Sequence, residues 1–135
     1  MAKTLPGERS LQYLRKEGWW AFTVERWIQQ ARKRIDVAGF GDILAWRGSL
    51  TALVQTTTRT NVGAHRWKIA SDECYKGAKA WLTGPNRVII LHGWWKQQTG
   101  SMKKPRWRLN EEVWTLKDIQ DLRTKWEAKQ DGQGD

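Results

Sequence analysis

Apolar and polar positions recur along this chain with two periods, and the changes of period mark its elements. Over 8–17, ERSLQYLRKE, Leu11 and Leu14 lie at helical spacing. Pro6 and Gly7 precede them and Gly18 follows, which predicts a short helix. Over 19–28, WWAFTVERWI, the period drops to that of a strand. Trp20, Phe22 and Val24 share one face, and Thr23, Glu25 and Trp27 the other. Residues 29–38, QQARKRIDVA, break the pattern and read as a polar connection, with Asp36 expected to serve a local turn or ion pair. Strands are predicted at 42–47 and 51–58, joined by a turn at Arg47-Gly48-Ser49. Helical spacing resumes over 62–82, where Trp67, Ala70, Cys74, Ala78, Trp81 and Leu82 form the inward stripe. Asn61 is the candidate cap and Gly84-Pro85 the stop. The run RVIILHGW at 87–94 is apolar on both parities, as a central strand would be. A basic loop at 96–105 and a short strand at 107–109 follow. A closing helix over 116–129 places Leu116, Ile119, Leu122 and Trp126 on one stripe. The tail, 131–135, is expected to be disordered.

The order α-β-β-β-α-β-β-α predicts one α/β domain over 1–130, with a mixed central sheet of about five strands flanked by helices. Strand parity singles out the hairpin at its centre. Asp42, Leu44 and Trp46 share a face of one strand, and Leu53, Gln55 and Thr57 a face of the next. A carboxylate and a carboxamide on neighbouring strands can share a metal ion or a polar pocket. Glu25 is a further acidic candidate for that pocket, or else an edge carboxylate paired with Arg26 or a lysine.

Charge adds a partner. The chain has 135 residues and 24 Lys and Arg against 14 acids, a net charge of +10. Residues 84–108 hold six basic residues and no acid, whereas 109–135 hold four basic residues and seven acids. A concentrated cationic region points to a polyanion, and nucleic acid is the commonest. The candidate phosphate-binding groups are Arg32, Lys33 and Arg34 before the hairpin. Arg59, Arg66 and Lys68 follow at the start of the 62–82 helix, and Lys96, Lys103 and Lys104 lie in the basic loop. His65 has no second histidine at metal spacing. Of eleven tryptophans, Trp20 and Trp81 are expected in the core. Trp67, Trp94, Trp95 and Trp107 adjoin cations, where they can stack on bases or pack beneath arginine stems. The single Cys74 fits a reducing compartment. The N-terminus has no signal-like apolar run, and no stretch approaches the ~20 apolar residues of a membrane span, so a cytoplasmic protein is expected.

The hairpin residues and the element order together resemble the PD-(D/E)xK nuclease superfamily, in particular its small Holliday-junction-resolvase-like branch, which includes phage-encoded proteins. Gly41-Asp42-Ile43-Leu44 stands for the family's P-D-hydrophobic-hydrophobic, and Val54-Gln55-Thr56-Thr57 for its (D/E)-x-K strand. The likeness spans 8–110. It implies a restriction-endonuclease-like core and Mg²⁺ (or Mn²⁺) held by Asp42, the Gln55 amide oxygen and the Thr56 carbonyl, with Glu25 or Glu8 assisting catalysis. The implied activity is endonucleolytic cleavage of DNA, with branched DNA as a substrate and a homodimer as the working form. The compartment would be the host cytoplasm if a phage encodes the chain. Two positions depart from the pattern. Gln55 is neutral where a carboxylate is usual, and Thr57 occupies the lysine position. Arg59, Arg66 and Lys68 are the candidate replacements for that lysine. The alternatives are a nuclease fold that binds nucleic acid without cutting it, and a phage-type module that binds a host protein.

Overall fold

In the computed structural model, residues 5–30, 32–101 and 103–132 are described, excepting the side chains of 26–28 and 33–35. Helix α1 (Pro6–Lys16) opens on Pro6, whose fixed φ suits a first helical turn. It lies on one face of a five-stranded sheet. The sheet order is β1 (Trp20–Thr23), β4 (Ile43–Arg47), β5 (Leu50–Thr58), β6 (Arg87–Gln97) and β7 (Arg106–Trp114). All pairs are antiparallel except β5–β6, which is parallel, so the sheet is mixed. Ala21, Ala45 and Ala52 stand in register across β1, β4 and β5. This row of small side chains lets α1 approach the sheet, and Leu14 packs there against Ile43, Val54 and Ile90. The opposite face carries α2 (Val62–Ala70), α3 (Tyr75–Thr83) and α4 (Leu116–Gln130) over Leu53, Ile89 and Leu91. The protein is thus α/β, with a mixed five-stranded sheet and four helices packed on it, as the element order predicts. No described helix is long and apolar enough to cross a membrane.

Four details differ from the sequence reading. The strand expected over 19–28 is two strands, β1 and β2 (Arg26–Ile28), the second forming a separate ribbon with β3 (Lys33–Ile35) inside the expected polar connection. The break falls where the N–H groups of Val24 and Glu25 both turn to the Asp42 carbonyl, at 2.9 and 3.4 Å. The inward side of β1 is Trp19 and Ala21, and Trp20 is 63% exposed rather than core. Trp81 is half-buried against the core, its Nε1 donating to the Val88 carbonyl at 2.8 Å. The helix expected over 62–82 is divided at Ser71, whose hydroxyl donates to the Lys68 carbonyl at 2.6 Å and turns the chain into α3. Finally, β6 and β7 are longer than expected, and the loop between them shrinks to 98–105. Asp131 and Gly132 form a turn after α4, and the rest of the expected disordered tail lies outside the described residues.

Candidate metal centre

The site lies at the mouth of the β4–β5 hairpin. Asp42 enters β4 with its N–H bonded to the Val54 carbonyl at 2.8 Å, which sets it beside Gln55. Its Oδ2 accepts from Gln55 Nε2 and from the Thr56 N–H, each at 2.9 Å. Asp42 is 7% exposed and Gln55 4%. A tight turn brings Asp36 to the same place. The N–H groups of Phe40 and Gly41 fold back to the Val37 carbonyl at 3.1 and 2.7 Å, and Gly39 takes φ +83°. Phe40 is fully buried and anchors the turn. Gly41 is needed for close approach, because a Cβ there would meet Leu53 at 2.5 Å.

Oxygens of Glu25, Asp36 and Asp42 all lie within 4.8 Å of one another. Burial pushes the Asp42 carboxyl up to about 7, opposed by the Thr56 hydrogen bond and reinforced by the charges of Asp36 and Glu25. Asp36 Oδ1 and Gln55 Oε1 are buried without a hydrogen-bond partner among the described residues. Such atoms ordinarily find one, so two within one acidic cluster are unusual. Glu25, Asp36, Asp42, Gln55, Thr57 and Glu8 line a cleft of about 620 Å³, Glu8 contributing from the first turn of α1. Among the described residues, no lysine or arginine lines it. The donor set is all oxygen, which suits a hard divalent cation such as Mg²⁺ or Mn²⁺.

The other expected site residues are dispersed. Thr57 is buried in the cleft wall. The Thr56 carbonyl accepts from Gln55 Nε2 at 3.3 Å. None of the candidate lysine replacements lines the cleft: Arg59 lies 3.9 Å over the Trp95 ring, Arg66 is paired with Glu112, and Lys68 stays on α2. Nearby on α2, burial and Lys68 hold His65 below the ordinary histidine range, opposed by Asp36. Arg32 is exposed in a turn with φ +50°. Lys33 and Arg34 sit on β3, their side chains outside the described residues. Lys96, Lys103 and Lys104 are exposed around the β6–β7 turn. Three of the tryptophans beside cations lie under cations from elsewhere: Lys129 over Trp67 at 5.3 Å, Arg59 over Trp95, and Arg9 over Trp107 at 3.7 Å. Trp94 is buried, donating to Ser10 Oγ at 2.8 Å.

Sequence reasoning missed Asp36 as a site residue. The available signal was its position six residues before Asp42 with Gly39 and Gly41 between them, a spacing that permits a fold-back. It also missed a buried support. Ser10 Oγ lies 3.0 Å from Thr56 Oγ1 and 2.7 Å from His92 Nδ1, and His92 Nε2 lies 2.7 Å from Glu111. This chain ties α1, β6 and β7 to the strand that carries Gln55.

No known family model matches the chain, nor does any curated protein or any solved structure.

Proposed function

We propose that the chain is a divalent-metal-dependent endonuclease acting on DNA, with Glu25, Asp36, Asp42 and the Gln55 amide oxygen as the groups that hold the ion. The observation that carries this reading is the set of converging carboxylates with two buried oxygens, on Asp36 and Gln55, that have no hydrogen-bond partner among the described residues. Carboxylates so placed repel one another, and a bound cation removes that repulsion. The order of strands around Asp42 and Gln55, with its resemblance to the PD-(D/E)xK pattern, supports the same reading. When bound, Mg²⁺ or Mn²⁺ would lower the pKa of a water nucleophile and neutralise charge on the scissile phosphate. The chain's own residues do the positioning. The Thr56 N–H holds Asp42 Oδ2 in place, and the Gln55 amide can turn its oxygen inward once Asp42 no longer accepts from Nε2. Glu8, which lines the cleft, would accept a proton from an entering water. Branched DNA as preferred substrate and a homodimer as the working form are the finer parts of this proposal.

One observation favours the runner-up. With Thr57 in the lysine position and no lysine or arginine among the described residues of the cleft wall, the fold could bind DNA and leave it uncut. The deciding experiment is cleavage of labelled four-way, flap and linear DNA with Mg²⁺ or Mn²⁺, beside EDTA and Asp42→Ala controls. The endonuclease reading expects metal-dependent cutting reduced at least about a hundredfold in Asp42→Ala, since an ion's charge stabilisation is worth several kcal/mol. Binding without cutting in every metal would leave the runner-up standing.

A further inference from the structure

Past Trp94 the β6 strand has no β5 partner, because β5 ends at Thr58 opposite Trp94. From there Trp95–Gln97 pairs only with Arg106–Arg108, so the end of the β6–β7 hairpin is a free two-stranded ribbon. Strand alternation divides its side chains. One face carries Lys96 and Trp107, with Arg9 of α1 laid over the Trp107 ring at 3.7 Å and the Lys96 ammonium 5.9 Å from it. The other carries Trp95, Gln97, Arg106 and Arg108, with Arg59 over the Trp95 ring at 3.9 Å and Arg108 Nε donating to Gln97 Oε1 at 2.6 Å. Lys103 and Lys104 lie in the turn, and 84–108 contains no acid. Both faces and the tip are therefore cationic, and the aromatic rings hold three of the cations in place.

We infer that this ribbon inserts into the major groove of B-form duplex DNA and carries the duplex across the acidic cleft at its base. A ribbon with cations on one face only would lie against a single backbone. Cations on both faces suit a groove with a phosphate strand on each side. The major groove of B-DNA, roughly 12 Å wide, admits a two-stranded ribbon, whereas the deep, narrow major groove of A-form RNA does not. The C-terminal ends of β5 and β6 lie together, so the ribbon rises beside Thr56–Thr58, which line the cleft. The inference rests on the nucleic-acid reading above but not on cleavage.

The test is fluorescence anisotropy in EDTA, where no cutting occurs, with wild type and the triple variant Lys96→Ala/Arg106→Ala/Arg108→Ala. The probes are one sequence as duplex DNA, duplex RNA and single-stranded DNA, and a DNA duplex whose cytosines carry bulky sugars at the 5-position, filling the major groove. All three side chains are exposed, and an unchanged circular dichroism melt confirms that the variant folds. The expected result is preference for the plain DNA duplex and at least about a tenfold loss in the triple variant. The slope of log K against log salt should flatten by about 0.9 per phosphate contact removed. Equal affinity for duplex RNA or for the groove-filled duplex, or a triple variant that binds like wild type, overturns the ribbon inference and leaves the nuclease proposal intact. No binding to any nucleic acid overturns both.

Discussion

The acidic cleft and the β6–β7 ribbon stand at the same end of the sheet and treat charge in opposite ways. The cleft gathers Glu8, Glu25, Asp36 and Asp42, and no lysine or arginine among the described residues lines it. The ribbon carries Lys96, Arg106 and Arg108 on a segment, 84–108, without acids, and Arg9 of α1 and Arg59 after β5 reach over its tryptophan rings, as Lys96 does. Elsewhere some charges are matched within the chain. Arg66 pairs with Glu112, which it holds below the usual carboxylate range, and Arg123 pairs with Asp72 and Glu127. The difference separates charge that holds the fold from charge left for a ligand. Like charges held close together raise the energy of the free protein, and a ligand of opposite charge relieves that cost: a cation in the cleft, a polyanion along the ribbon.

The largest break in this comparison comes from neutralising Asp42. Its folded-state carboxyl titrates near 7, well above the 3.8 of an ordinary aspartate. The folded state therefore holds a proton that the unfolded chain has released, and metal-free stability falls as pH rises from about 4 to about 7. Above that window both states are ionised and the full cost remains. Asp42→Asn keeps an acceptor for the Thr56 N–H and should make the metal-free protein more stable than wild type at pH 8, by an amount on the order of a few kcal/mol, while removing metal binding. Urea denaturation at pH 4 and pH 8 reads this directly. A variant less stable than wild type at pH 8 would show that the cleft's charge is compensated after all. The same proton competes with a metal ion, so the rise in melting temperature on adding Mn²⁺ should shrink as pH falls below about 7.

A smaller effect is expected from Gln55→Glu, which supplies the carboxylate usual at that position. Added ligand charge should tighten Mn²⁺ on the order of tenfold by calorimetry. A weaker site would mean that Gln55 lies outside the coordination sphere. The smallest effect separates an exposed tryptophan from a buried one. Trp20→Ala should change stability by less than about 0.5 kcal/mol. Trp94→Ala removes a buried ring and its bond to Ser10, and should cost about 3–5 kcal/mol by denaturant titration.

The fold class was legible because periodicity and continuous apolar runs are local signals. The run at 88–94 is buried throughout, as its composition requires. The stripe Ala70, Cys74, Ala78 and Leu82 is buried although the helix divides, since both halves pack on the same core. The direction in which an aromatic strand faces was not legible. Trp20 and Phe22 are the larger side chains, yet the small Ala21 faces α1, because a helix can pack closely only over small residues. Within the candidate site, Asp42, Gln55 and Thr57 could be placed by strand parity; Glu25 was named from a strand that the structure breaks, and it reaches the site from that break. Asp36 could not, because its arrival depends on a five-residue fold-back held by buried Phe40.

By itself the sequence determined the alternation of elements, the strand parity that sets Asp42 beside Gln55, and the acid-free basic run at 84–108. These follow from backbone geometry and from the order of residues alone. Only the tertiary structure decided which acids meet, which cation lies on which tryptophan, and that the β6–β7 hairpin runs free beyond Thr58. Those facts join residues tens of positions apart, such as Arg9 with Trp107 and Arg59 with Trp95. Such pairings are set by how helices and strands pack, and no local periodicity encodes them.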